Sequence, residues 1–349
     1  MARTQTADLL KGIAALLMIQ VHIIELFASE SIFKSDIGKI LLFLGGPPVA
    51  PVFLLFLGYF IASSQKTTKH LVIRGIKIIA LGLALNIALN LNLLIAVAKG
   101  EYPYINILDY IFGVDVLLNA GLSIIIIALL KKVLDKHFVL SLLFAFAVSF
   151  LGIFLLDNTT KPDDKALLYF LAFIYGDSTW SYFPLFPWLS YSLAGIALYK
   201  LSIQYDFSIL DSLKAKIILT LLFLLFFAFT YQYAISTASN LQSYYHHGVV
   251  FFCWTITFLF FYGLLVKGLE KISQNQPVMK YLRWLGKNIT VIYVIQWVII
   301  GNIATEIYRT ITSPLVLITA FVAITVSSSS LCYLWIGIKK RHMDKPPLG

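Results

Sequence analysis

Charge is scarce in this chain. Only 13% of its 349 residues are Asp, Glu, Lys or Arg, about half of what a soluble domain carries, which leaves too little polar surface to face water on all sides. Cysteine is nearly absent. Cys253 and Cys332 both lie inside apolar stretches and read as small core residues rather than as a disulfide or a metal site. No polar segment approaches the ~50 residues of a small soluble domain. There is no internal repeat, and low complexity is confined to Ser327–Ser330.

What the chain has in excess is apolar sequence, 59% of it, with a mean hydropathy of +0.85. The apolar runs cover 9–29, 40–63, 71–98, 107–130, 137–156, 183–204, 214–236, 247–269, 282–304 and 313–338. Each is near the ~20 residues that a helix needs to cross a hydrocarbon layer. The expectation is an all-α polytopic membrane bundle of about ten transmembrane helices, forming a single domain over 1–349. A shorter stretch, 166–176, is too short to span and suits the membrane interface. Gln20, His22 and Glu25 interrupt the first run and no small-residue cleavage site follows, so it reads as a retained helix rather than a signal peptide.

The net charge of +10 sits in short loops between apolar runs, the pattern of orientation signals and not of a nucleic-acid groove. Assigning alternate loops to alternate sides puts 21 of the 27 basic residues, from Arg3 and Lys11 to Arg341 and Lys345, on the side of the two termini. Basic loops are retained in the cytoplasm, so both termini are expected there.

Ionisable groups at membrane depth cost about 2.5–3.5 kcal/mol on insertion scales, so each asks for a reason. His22 follows Lys11 by eleven residues, about 16 Å along a helix, which sets Lys11 near the cytoplasmic interface and His22 beyond the midplane. A neutral imidazole can take a proton from a hydroxyl or an amine, or it can simply bond between helices. Glu25, three residues on, is positioned to accept the imidazole N–H. Lys69, Arg74 and Lys77 open the third run; Arg74 and Lys77 share a face and suit either phosphate binding or lipid headgroups. Asn86 with Asn90, and Asp115 with Asn119, form polar stripes that face other helices or a wet cavity. Asp115 can orient His22 or a substrate hydroxyl, or pair with an outer loop. Tyr102, Tyr104, Trp180, Tyr182, Trp188, Tyr244, Tyr245, His246 and His247 gather at the outer side, where an aromatic belt accounts for most of them and a sugar-binding rim is the sharper alternative. Adjacent histidines rarely converge on one metal, so no metal site is expected.

AspLeuLeuLysGlyIleAlaAlaLeuLeuMetIleGlnValHis (8–22) resembles the first helix of the transmembrane acyltransferase superfamily, which includes the acyltransferase-3 and heparan-α-glucosaminide N-acetyltransferase-like proteins. GlyGlyProProValAlaProValPheLeuLeuPheLeuGlyTyr (45–59) is similar to its second helix, PheProLeuPheProTrpLeu (183–189) to a motif of the bacterial branch, and LeuGlyLysAsnIleThrValIleTyr (285–293) to its penultimate helix. The resemblance implies transfer of an acetyl group from cytoplasmic acetyl-CoA to an extracytoplasmic glycan or lipid-linked sugar, in a bacterial cytoplasmic membrane and without a metal. It gives His22 the part of general base and Lys11, Arg74 and Lys77 the donor's phosphates; the residue reading above adds Glu25 and Asp115 as candidates beside His22, and Asn86, Asn90 and Trp188 as candidates to meet the acceptor. Lys11 and Lys77 stand where Arg is usual, and Gln296 where related proteins often have His. The implied partners are membrane lipid and the sugar acceptor; a homodimer stays open, because lipid-facing and partner-facing apolar surfaces read alike. Two other readings compete: a transporter or flippase that moves a glycan without covalent change, and a degenerate member that binds without chemistry.

Overall fold

The computed structural model describes residues 5–343, apart from Asp177 and Gln274 and from the side chains of Ser208, Asp211, His342 and Met343. Arg3 and Lys345, two of the basic residues counted above, lie outside the described residues. The chain enters as α1 (Gln5–Leu26), turns through α2 (Glu30–Phe33), and returns as α3 (Asp36–Gly45) and α4 (Ala50–Ala62). It continues through α5 (Thr68–Leu89), α6 (Leu91–Ala98), α7 (Ile107–Ile111), α8 (Val116–Leu134), α9 (Phe138–Asn158) and the short α10 (Lys165–Ile174). The second half holds α11 (Leu185–Gln204), α12 (Leu213–Ser239), α13 (Leu241–Tyr245), α14 (Val249–Ser273), α15 (Pro277–Lys287), α16 (Ile289–Ile307) and α17 (Pro314–Met343).

The fold is all-α, as expected. Among the described residues nine helices are long and apolar enough to cross a membrane, with α3 and α4 together counting as one span. The run expected to supply a tenth, 183–204, became α11, whose 20 residues reach about 30 Å. It carries Ser190, Tyr191, Ser192 and Lys200 and so falls short in hydropathy. All but Lys200 of these are fully buried, because α11 packs between α4, α8 and α9. A helix walled off from lipid by other helices has no need to be apolar. The opposite extreme is α12, which is strongly apolar and buries none of its spanning window.

Central helices cross at backbone contact. A Cβ on Gly12 would stand 1.8 Å from the Leu282 carbonyl oxygen, and one on Gly286 would stand 1.8 Å from that of Asp8, so α1 and α15 notch into each other at reciprocal glycines. Gly58 and Gly195 do the same for α4 and α11, against the carbonyls of Ser192 and Leu55. Close approach through small residues is the usual means of helix association where lipid removes any hydrophobic drive.

Four expected runs are broken, among them 107–130, which leaves the helix between Ile111 and Val116. The run 40–63 splits at Gly46–Val49, because Pro47 and Pro48 cannot donate to a helical ladder. The run 71–98 breaks at Asn90 and the run 282–304 at Asn288. Segment 166–176 became the ten-residue α10, too short to span.

Candidate functional site

Helix α1 stays regular from Gln5 to Leu26, so eleven residues carry Lys11 to His22 through three turns and about 20°. The two side chains therefore share one face, about 16 Å apart, with Ala15 and Met18 buried between them. Asp8 takes the Lys11 ammonium at 3.0 Å, and the Phe60 ring lies 5.2 Å from it. The lysine is 8% exposed. Its charge is largely committed inside the protein.

His22 is half-buried against α16. Its Nδ1 lies 3.2 Å from Oε1 of Gln296, and its ring lies against Trp297 with centroids 3.8 Å apart and planes tilted by 32°. The expectation that Glu25 would take the imidazole N–H is corrected here. Glu25 is one turn further out and the amide of Gln296 occupies that role. Glu25 instead faces the outer end, where burial and then the Glu25 carboxylate hold the Tyr245 phenol above its ordinary value. Arg309, which follows α16, donates to the Glu25 backbone carbonyl at 3.3 Å and pairs with Glu30 at 2.9 Å.

The interrupted second span approaches at the same depth. A Cβ on Gly45 would fall 2.1 Å from that of Val21, next to His22 in sequence, and one on Gly46 would fall 3.2 Å from the Tyr244 ring. Non-helical backbone within a membrane is tolerated only where it is buried in protein or lines a cavity. The break thus marks the surroundings of His22 independently of the histidine itself.

The other expected site residues are distributed more widely. Asp115 is not part of a mid-helix stripe: it is the N-cap of α8, its Oδ1 accepting from the N–H groups of Leu117 and Leu118 at 2.9 and 3.1 Å. Its Oδ2 accepts from the Tyr293 hydroxyl at 3.1 Å, which ties α8 to α16 one turn before Gln296. Asn86 donates to the carbonyls of Ile111 and Gly113 at 3.0 and 2.7 Å, and Asn90 donates to the Asn86 carbonyl at 2.9 Å. Trp188 is fully buried and donates to the Tyr245 carbonyl at 2.8 Å. Asn86 and Trp188 thus tie outer-loop backbone to their helices, while Asn90 bonds back onto the end of α5.

Arg74 and Lys77 are exposed on the first turns of α5 and pair with no carboxylate among the described residues. Two free cations one turn apart fit a phosphate group. α5 packs mainly on α8 and α16, and α16 in turn touches α1, the helix of Lys11 and His22. Gln296 and Trp297 were not expected as site residues. Gln296 stood out in the sequence only as a departure, and Trp297 carried no signal at all. The second outer histidine, His247, is buried with Nδ1 on the Tyr244 carbonyl at 2.7 Å and Nε2 on the Tyr191 hydroxyl at 2.8 Å.

Residues 3–224 match the family model described as "Heparan-alpha-glucosaminide N-acetyltransferase, catalytic". No curated protein and no solved structure matches the chain.

Proposed function

The chain belongs to the heparan-alpha-glucosaminide N-acetyltransferase catalytic family, whose members are acetyl-CoA-dependent membrane acetyltransferases, and from this premise we propose that it acetylates an amine or hydroxyl of a sugar on the extracytoplasmic side. The enzyme is a multi-pass membrane acyltransferase with acetyl-CoA as donor. The acceptor, the direction and the residue roles are our reading. The observation that carries it is the shared face of Lys11 and His22 on α1, with His22 held by Gln296 and Trp297 beside the break in the second span.

Arg74 and Lys77 bind the donor's phosphates as a pair of exposed cations, and Lys11, committed to Asp8, contributes less. His22 removes a proton from the acceptor as its nitrogen or oxygen attacks the acetyl carbonyl. The new C–N or C–O bond forms, the C–S bond breaks, and the imidazolium returns its proton to the departing sulfur. Glu25, one turn outward amid tyrosines, is suited to hold the acceptor. With 21 of 27 basic residues on the side of the termini, the donor enters from the cytoplasm of a bacterial-type membrane. Family membership favours this chemistry over transport alone.

Membranes carrying the wild-type chain transfer label from acetyl-CoA to a sugar acceptor, with glucosamine and its N-acetylated form as the two probes. His22→Ala lowers transfer by at least ~100-fold, the lower range for general acid–base groups. Full transfer by that variant rejects the mechanism, and export of a glycan with no gain of acetyl mass rejects the function.

A further inference from the structure

We propose that Gln296 is a positioning residue that sets which ring nitrogen of His22 is the base, and that its own amide nitrogen is reserved for an oxygen of the bound ligand. The inference rests on the reading of His22 as general base. It concerns how a histidine between membrane helices is kept in the one state that can act.

An imidazole can accept a proton only at the nitrogen that lacks one, and the partner of the other nitrogen decides which that is. Gln296 Oε1 is an acceptor only, and it lies 3.2 Å from Nδ1. The proton is therefore on Nδ1, and the Nε2 lone pair faces away from Gln296, free to take the acceptor's proton. Trp297, the next residue of α16, covers the ring face at 3.8 Å between centroids, so ring plane and tautomer are fixed from one helix turn. That turn is anchored in its own right: Tyr293, one turn earlier, is bonded to Asp115.

The second half of the proposal comes from the other end of the amide. Gln296 is 0% exposed, and its Nε2 has no hydrogen-bond partner among the described residues. Leaving a buried amide N–H unpaired is costly, and no lipid group at this depth offers it a partner. A packing residue would be better as Leu or Met. A donor held unpaired beside a catalytic base fits an oxygen that arrives with the ligand, a carbonyl or a sugar hydroxyl, and a carbonyl oxygen gains most from it as negative charge develops. Glutamine also explains why no carboxylate stands here. A neutral acceptor fixes the tautomer without adding a charge that would favour protonation of the base.

The test uses the full-length protein in detergent, with histidine labelled by nitrogen-15 and the His22 signals identified by their loss in His22→Ala. The wild type is expected to carry its proton on Nδ1. Gln296→Met, close in volume but unable to bond, shifts His22 toward the Nε2-protonated form and lowers kcat by about 10- to 100-fold, with KM for acetyl-CoA within twofold. Gln296→Glu keeps an acceptor at the same reach and so keeps the Nδ1 proton, but it loses the donor and does not regain full kcat. A wild-type His22 protonated on Nε2 overturns the proposal outright, and that measurement stands even if Gln296→Met fails to fold. Unchanged tautomer and kcat in a folded Gln296→Met overturn it too. If His22→Ala retains transfer, it is the general-base reading that falls, whereas loss in His22→Ala with no effect of Gln296→Met removes only the present proposal.

Discussion

Two histidines in this molecule are held by very different means, and each has its own prediction. Trp297 packs against the His22 ring at a 32° tilt and holds its plane; Trp297→Ala releases it, and kcat for acetyl transfer falls by about 10- to 100-fold, as expected when a reacting group drifts by about 1 Å. His247, two residues before α14 begins, is locked between a carbonyl and a phenol, and burial pushes its pKa down to about 4. Unfolded, it titrates near the ordinary ~6.5. Between those values the unfolded chain binds a proton that the folded one refuses, so stability is complete above about pH 6.5 and is lost as pH falls toward 4, by roughly 3 kcal/mol. The melting temperature of the wild type should drop more steeply from pH 7 to 4.5 than that of His247→Gln, which cannot titrate.

At the scale of elements, the glycine crossings make a sharp comparison. Gly12→Val drives a side chain into the Leu282 carbonyl of α15, 1.8 Å from the first atom added. Backbone cannot yield as a side chain does, so the cost is about 3 kcal/mol or more, read as lost expression or a lowered melting temperature. Gly263→Ala on α14 meets nothing within 4 Å and should be neutral or stabilising by about 0.5–1 kcal/mol. Asp115→Ala removes the N-cap of α8 and costs ~1 kcal/mol, with a further loss from the Tyr293 bond. Sequence reading saw Asp115 as part of a helical stripe because an acidic residue four positions from Asn119 fits helical spacing. What it could not see is that the chain ahead of Asp115 leaves the helix and pairs Val114 with the loop at Ser181.

For the whole molecule, the asymmetry of basic residues predicts the orientation. In a Cys253→Ser background, a cysteine placed at Glu101 should react with an impermeant maleimide from outside intact cells, and one placed at Gln65 only after the membrane is opened. Labelling in the reverse order would invert the donor and acceptor sides of the proposed reaction. Both positions are exposed, so access to solvent does not limit either.

The sequence by itself determined that this chain lives in a membrane, that it is all-α, and that His22 stands at depth on a helix also bearing Lys11. Those follow from composition and from helical rise, which are local properties. Family resemblance was legible too, since motifs are strings. Only the tertiary structure decided that Gln296, 274 positions from His22, bonds its Nδ1, that Trp297 covers its ring, and that Asn86, Asn90 and Trp188 spend their donors on backbone carbonyls. It also decided that α11, with its serines and Tyr191, is central and the strongly apolar α12 peripheral. The reason is the same in each case. Which faces meet depends on how helices cross, and crossings are set by glycine notches and side-chain packing between segments far apart in the chain, whose partners no single stretch of sequence can name.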